Sequence, residues 1–468
     1  MKERYDLLVI GAGPGGYVAA IEAAKEGKKV GIIEQDQVGG TCLNRGCIPA
    51  KAMLHAAEVY QEAKNADRFG IHCADVLVDY AGILSYKEEI TDSLVKGVTQ
   101  LLKANQISVL KGKGKLLPDR NVEVASDEGT QVYAAENVLL SVGSKPALIP
   151  IPGMDLNGVL TSDELFLLKE LPDSLVIIGG GVISVEFATA FSGLGSKVTI
   201  LEAMPRLLPG MDREISNNVK LLLKKRGVEI HTDAAVQAVE RKEDHLVCRF
   251  SEKGEALSAA GTYVLCAVGR APNTEGLFQE GAVPEMKKGN VLVDDQFQTS
   301  LPGVYAIGDM TGKSQLAHAA SAQGIVTARY LAGKKPGIDL NVIPACVYTD
   351  PEIAAVGLTE EEAKEAGIPV RTGKFLMGAN GRSQITKEER GFIKILSDLQ
   401  TDEILGAQMM CARATDMIGE FVTAMTNHMT VSDLTKSIRP HPTYNEGIGE
   451  ALEELSGGAI HIMPRKRR

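Results

Sequence analysis

Leu7-Leu8-Val9-Ile10-Gly11-Ala12-Gly13-Pro14-Gly15-Gly16 passes from an apolar run into a glycine-rich one. The pattern returns at Leu175-Val176-Ile177-Ile178-Gly179-Gly180-Gly181-Val182-Ile183-Ser184. Each copy continues into a helix-like stretch, Tyr17 to Lys25 and Val185 to Ser192. Each then reaches a second apolar run closed by an acid, Val30-Gly31-Ile32-Ile33-Glu34 and Val198-Thr199-Ile200-Leu201-Glu202. The acid stands 23 positions after the first glycine both times (11 to 34, 179 to 202). Strand, turn, helix and strand in that order form a β-α-β unit with parallel strands. Two units starting 168 positions apart are too distant for a solenoid repeat and predict two separate α/β domains.

The glycines carry the chemistry. Gly11 and Gly179 permit a tight turn. Gly13 and Gly181 let backbone approach a pyrophosphate, and Gly16 lets the helix settle on the sheet. The helix N-terminus then presents N–H groups and partial positive charge to a diphosphate. Glu34 and Glu202 are placed to accept hydrogen bonds from ribose hydroxyls. Ser184 stands where a third glycine is usual, and its small side chain still allows close packing. Glu202 would repel a 2′-phosphate, which favours NAD over NADP, although Arg206 lies four residues on.

Eight residues after Glu34 comes Cys42, within Gly39-Gly40-Thr41-Cys42-Leu43-Asn44-Arg45-Gly46-Cys47-Ile48-Pro49-Ala50-Lys51. Two cysteines five positions apart, in a glycine-entered turn that exits through Pro49 into a helix, describe a redox-active pair. A helix N-terminus and a cation such as Arg45 or Lys51 lower a thiol pKa. A structural disulfide, a pair of buried thiols and a zinc site are the alternatives. Zinc needs four ligands, and no second Cys/His pair accompanies this one. Near the other end, His441-Pro442-Thr443-Tyr444-Asn445-Glu446 sets an imidazole five positions before a carboxylate. That spacing suits either a structural histidine or an oriented acid–base pair.

The rest of the chain sets bounds. At 468 residues it is long enough for about three domains. Fifty Lys and Arg against 60 Asp and Glu leave a net charge of −10, which argues against nucleic acid as a partner. No apolar stretch has the length of a membrane span. The chain runs from Met1 into an apolar strand with no charged-then-apolar leader, so a cytoplasmic location is expected. Seven cysteines in a chain this long fit a reducing compartment. The basic run Arg465 to Arg468 reads as a solvated tail. Helices are expected over roughly 50–64 and 88–104, with short strands near 108–111, 121–124 and 138–142. The last 125 or so residues change texture. Thr359-Glu360-Glu361-Glu362 is a capping box opening a helix that Gly367 stops, and Gly391 to Leu396 alternates like an antiparallel strand.

Taken in order, these motifs resemble the pyridine nucleotide–disulfide oxidoreductases over essentially the whole chain. The cysteine block is similar to the branch that oxidises dihydrolipoamide, with Leu43 where the glutathione-reducing branch usually has Val. Ala50 and Arg45 depart from the usual residues. The resemblance implies an α/β fold of two Rossmann-like domains, a central domain and a C-terminal α+β dimerisation domain. The expected boundaries are 1–143 for an FAD domain, 144–270 for an NAD domain, 271–340 for a central domain completing the FAD site, and 341–468 for the interface. It implies Cys42 as interchange thiol, Cys47 as the thiol beside the flavin, and His441 with Glu446 as the acid–base pair, reaching a partner subunit's disulfide. FAD would be held by Gly11, Gly13, Gly16, Glu34, Thr41, Lys51, Gly114, Asp309 and Ala317. NAD would be held by Gly179, Gly181, Ser184, Glu202, Val236 and Gly269. Glu186 would pair with Lys51, and no metal is expected. Val342 to Glu352 resembles the opening of the interface domain. The implied activity is FAD-dependent oxidation of protein-bound dihydrolipoamide by NAD⁺. The expected partners are a second copy of the chain and a lipoylated acyltransferase or lipoyl carrier protein. Branches that reduce glutathione with NADPH are disfavoured by Glu202. Those needing a C-terminal cysteine pair are disfavoured by Gly457 to Pro464, which has none. A flavoprotein that senses NADH or scaffolds a complex without turnover is the rival of another class.

Overall fold

A computed structural model describes residues 4–463. The basic run at 465–468 lies outside the described residues. The first β-α-β unit is the strand Arg4–Ile10, the helix Pro14–Lys25 and the strand Val30–Glu34. It lies in a sheet ordered Ser108–Lys111, Val30–Glu34, Arg4–Ile10, Gly129–Leu140, Asn121–Ser126, Lys113–Leu116, with Val304–Ala306 also pairing with Gly129–Leu140. Arg4–Ile10 is fully sandwiched, and Leu7, Leu8, Val9 and Ile10 are all buried. That is why the segment reads as a continuous apolar run rather than an alternating one. The twelve-residue strand Gly129–Leu140 serves two sheets' worth of pairing. Its first half is antiparallel to Asn121–Ser126, and its last residues run parallel to both Arg4–Ile10 and Val304–Ala306.

The second unit repeats this order with Glu229–Thr232, Lys197–Glu202, Ser174–Ile178 and Tyr263–Cys266, all parallel, and Val159–Leu160 at the edge. An antiparallel three-stranded sheet, Ala234–Lys242, His245–Glu252 and Glu255–Gly261, covers it. The stretch around Lys145, which resembles a linker in sequence, forms a short strand Ser144–Pro146 paired antiparallel with Arg270–Pro272. This ribbon ties the ends of the two parallel sheets together.

The remaining C-terminal residues build a five-stranded antiparallel sheet ordered Ala345–Val347, Ile353–Gly357, Ile404–Met410, Phe392–Asp398, Val370–Leu376. The helix Glu446–Ser456 packs on it, and Ala451 carbonyl would lie 2.1 Å from a Cβ at Gly373. A buried ion cluster joins this sheet to the second unit. Lys394 Nζ, with a side chain only 4% exposed, lies 3.1 Å from Asp212, 3.2 Å from Glu214 and 3.1 Å from Glu360. Burial opposes its charge, but Asp212 and Glu360 outweigh burial and its pKa is raised. Removing Lys394 costs about 3–5 kcal/mol, because the buried Asp212 carboxylate loses its cation. No helix among the described residues is long and apolar enough to cross a membrane.

Candidate active site

Both glycine-rich turns sit at the carboxyl ends of their sheets, where ligands bind in open α/β folds, and both open into one cavity of about 1200 Å³. That exceeds what a single drug-sized ligand fills and suits two dinucleotides side by side. On the first side Gly11 adopts φ +102°, and a Cβ on Gly16 would lie 1.9 Å from the Gly11 carbonyl. The helix Pro14–Lys25 can approach the turn only because no side chain intervenes. Glu34 holds the turn from the opposite flank, accepting from Ala12 N–H at 2.8 Å and from Asp36 N–H at 2.9 Å. In the second copy Ser184 is fully buried, with Oγ 3.4 Å from the Ala267 carbonyl. The helix there stands off just enough for a hydroxyl. Glu202 accepts from Met204 N–H at 2.6 Å and lies against Gly180, where a Cβ would meet its carboxylate at 2.8 Å.

Thr41, Cys42, Cys47, Lys51, Gly114, Asp309, Ala317, Glu186 and Gly269 also line this cavity. Most of the residues expected at the two cofactors therefore converge. Gly16, Ser184 and Val236 are not among the cavity's lining. Val236 lies on the antiparallel cover, beside the irregularity between Val236 and Ala238. Asp309 follows the strand Val304–Ala306, whose parallel pairing with Val138–Leu140 brings it to the same sheet edge as Gly11. Ser144 Oγ donates to Asp309, and Arg270 donates to Ser144 Oγ and to its carbonyl, both at 2.7 Å. The ribbon between the two units thus fixes the orientation of Asp309.

The expected turn at the cysteines is instead a pair of helices. Cys42 lies in the short helix Gly40–Arg45, and Cys47 is the first residue of Cys47–Lys64. Both are thiols in this structure. The Cys42 thiol donates to Cys47, and this bond is the main reason that the Cys47 pKa falls to about 7; burial opposes the fall and Lys51 assists it. The Cys42 pKa is raised by the same bond, by burial and by its neighbour's charge. Above about pH 7 the pair therefore carries one negative charge, on Cys47. The cation responsible is Lys51. Arg45, which sequence proximity suggested as a second one, pairs with Asp36. A third thiol in the cavity, Cys346, is pushed up to about 11, first by burial and then by Glu352, and stays protonated.

Lys51 Nζ lies 2.8 and 3.0 Å from the two Glu186 oxygens. Two further contacts were not foreseen. Tyr348 N–H donates to Glu186 at 3.0 Å, and the Lys51 ammonium sits 4.5 Å above the Tyr348 ring. The only sequence signal was that Tyr348 falls within the stretch from Val342 to Glu352. In the fully reduced protein, alkylation of Cys47 by iodoacetamide should speed up as pH rises through about 7. Cys42→Ala, which removes the donor, and Lys51→Met, which removes the cation, should each move that midpoint upward. Peptide mass spectrometry across pH measures it, and an unmoved midpoint in both would reject this account.

His441 and Glu446 are not among the cavity residues. His441 Nδ1 is 2.8 Å from Glu446 Oε1, while Glu446 Oε2 accepts from Thr443 N–H at 2.9 Å. The imidazole is held by one nitrogen with its side chain 77% exposed on the C-terminal sheet's flank. The Glu446 pKa is lowered; burial works against this, and the Thr443 N–H and His441 outweigh it.

The chain is similar to known proteins over nearly its whole length. Residues 5–324 match the family described as pyridine nucleotide-disulphide oxidoreductase, and residues 343–452 match its dimerisation domain. The chain is 41% identical over 461 residues to a dihydrolipoyl dehydrogenase of Bacillus subtilis, covering 98% of each. It is 40% identical to one of Geobacillus stearothermophilus, again covering 98% of each. Among solved structures it resembles LpdA of Mycobacterium tuberculosis, with a TM-score of 0.90, 27% identity and coverage of 97% of this chain and 99% of that one. It also resembles the HOCl-induced flavoprotein disulfide reductase RclA of Escherichia coli, with a TM-score of 0.86, 31% identity and the same coverage.

Proposed function

The chain belongs to the pyridine nucleotide-disulphide oxidoreductase family, and from that premise we propose that it oxidises dihydrolipoamide to lipoamide with NAD⁺ as acceptor. The observation that carries this reading is the convergence of the Cys42–Cys47 pair, the Lys51–Glu186 pair and both glycine-rich turns on one cavity. The full-length likeness to dihydrolipoyl dehydrogenases supports the substrate.

FAD, when bound, would supply the relay of two electrons from the dithiol to NAD⁺. The chain's residues do the rest. His441, from the partner subunit, takes a proton from one substrate thiol, and Glu446 steadies the imidazolium. The substrate thiolate attacks Cys42 of the oxidised pair, and Cys47 leaves as a thiolate. The second substrate thiol then attacks the sulfur bonded to Cys42 and its proton passes to the departing Cys42, which releases cyclic lipoamide and leaves the pair reduced by two electrons. Lys51 stabilises the Cys47 thiolate. Gly11, Gly13, Gly16, Glu34, Thr41, Gly114, Asp309 and Ala317 position FAD, and Gly179, Gly181, Ser184, Glu202 and Gly269 position NAD. The domain limits at 143, 270 and 340 divide the chain by these roles.

The chain works as a homodimer in the cytoplasm and receives its substrate on a lipoylated acyltransferase or lipoyl carrier protein. The charge of −10 suits a basic docking segment on that partner. The test is turnover of free dihydrolipoamide with NAD⁺ and NADP⁺ in parallel. NAD⁺ should be preferred by at least about a hundredfold in kcat/KM, since a site built to bond a hydroxyl rejects its analogue by several kcal/mol. Glu202→Ala should erode the preference. Absence of turnover with either nucleotide would leave the non-catalytic flavoprotein standing.

A further inference from the structure

The loop after Glu202, Ala203 to Asp212, carries one cation, Arg206. Met204, Pro209 and Met211 of this loop line the cavity beside Glu202. An arginine there has the reach and the planar fork to take a 2′-phosphate, which would oppose the choice that Glu202 makes. Its two terminal nitrogens are engaged elsewhere. Nη1 lies 2.9 Å from Glu361, and Nη2 donates to the Pro209 carbonyl at 3.1 Å.

Glu361 belongs to the capping-box helix Glu360–Glu365, which Thr372 of the C-terminal sheet ties to that sheet by donating to Glu360 at 2.9 Å. Each of the three acids in its first turn has a separate task. Glu362 completes the cap on Thr359, with its Oε2 2.9 Å from both Thr359 N and Oγ1. Glu360 lies 3.1 Å from Lys394, beside Asp212 at the loop's far end. Glu361 takes Arg206. A sequence that reads as a local helix start is also a clamp on the loop that surrounds the ribose acid. Only one of the three acids is needed to cap the helix.

The geometry points to Glu361 as a specificity-determining residue for NAD over NADP, acting from the dimerisation domain by holding Arg206 away from the ribose site. Glu202 supplies the attraction for the 2′-hydroxyl, and Glu361 withholds the cation that would reward a 2′-phosphate, so rejection is built in as well as recognition. The inference rests on the NAD reading above.

Calorimetric binding of NAD⁺ and NADP⁺ to the FAD-loaded dimer tests it, with kcat/KM for both nucleotides alongside. Glu361→Gln keeps the side-chain shape and removes the charge. It should tighten NADP⁺ roughly fivefold, the scale of one partly exposed ion pair, and leave NAD⁺ within about twofold. Arg206→Gln combined with Glu361→Gln should return NADP⁺ to its wild-type affinity. Arg206→Gln alone should leave NADP⁺ unchanged, because Arg206 is already withdrawn. A Glu361→Gln protein with unaltered NADP⁺ binding overturns the inference. So does a gain that survives in the double variant, or a loss of NADP⁺ affinity in Arg206→Gln alone. Should Glu361→Gln lose FAD or fold poorly, Arg206→Gln alone decides between the two. Wild-type protein that binds NADP⁺ as tightly as NAD⁺ would instead fail the NAD reading itself.

Discussion

Replacing either Cys42 or Cys47 by serine is expected to lower dihydrolipoamide turnover by roughly three orders of magnitude or more, the scale of losing a nucleophile. FAD should stay bound at about one per chain. A hydroxyl neither forms the mixed disulfide with the substrate nor leaves from a disulfide, so both halves of the exchange fail. Most residues that would hold FAD lie elsewhere, at the Gly11–Gly16 turn, at Glu34 and at Asp309 with its Ser144 and Arg270 supports. Reduction of an artificial acceptor by NADH should therefore persist in both variants. That retained activity separates a broken thiol exchange from a broken cofactor site. Ordinary dihydrolipoamide turnover in either variant would sink the disulfide mechanism.

The second large effect concerns the dimer. His441 stands exposed beside the C-terminal sheet and is not among the residues that line the cavity holding Cys42 and Cys47. Within one chain the base and the disulfide do not share a site, and the match of residues 343–452 to a dimerisation domain supplies the second copy. Cys42→Ser and His441→Gln should each be nearly inactive as homodimers. Mixed dimers carry one site with both residues intact and one with neither, and should recover up to about half the wild-type activity per dimer. Separation of the mixed species by two different affinity tags, followed by turnover assay, measures this. Mixed dimers as inactive as their parents would place His441 in its own chain's site or remove the dimer from the mechanism.

These results bear on how a site of this kind is assembled. Lys51 and Glu186 are 135 positions apart and come from two helices, Cys47–Lys64 and Val182–Leu194, that pack directly against each other. Tyr348 adds its ring and its N–H from the C-terminal sheet. Three regions of the chain therefore meet at one ion pair. The lowered pKa of Cys47 owes most to the Cys42 thiol; Lys51 adds to it, and Glu186 from the same ion pair works against it.

The two β-α-β units, the cysteine pair and the His441–Glu446 pair were legible in the sequence because each works over a short span. Turn, helix start and ribose acid must fall within one strand–helix–strand unit for the acid at position 34 or 202 to return beside its own glycines. The same locality let the capping box be read, and Thr359 and Glu362 do cap their helix. Arg45 shows where such reading fails. Three residues from Cys42 it looked like a thiol's cation, but the helix Gly40–Arg45 turns it to Asp36. Glu360 and Glu361 were invisible beyond the cap, because their partners Lys394 and Arg206 lie 34 and 155 positions away. Ser144 and Asp309 are 165 apart, and no local pattern marks either as the other's partner. The sequence by itself placed the glycine-rich turns, the ribose acids, the cysteine pair and the capping box, since backbone geometry and side-chain spacing are properties of short segments. Only the tertiary structure decided which charges meet, because an ion pair depends on the packing of whole sheets, and every free cation on a short segment has several acids within reach until that packing chooses one.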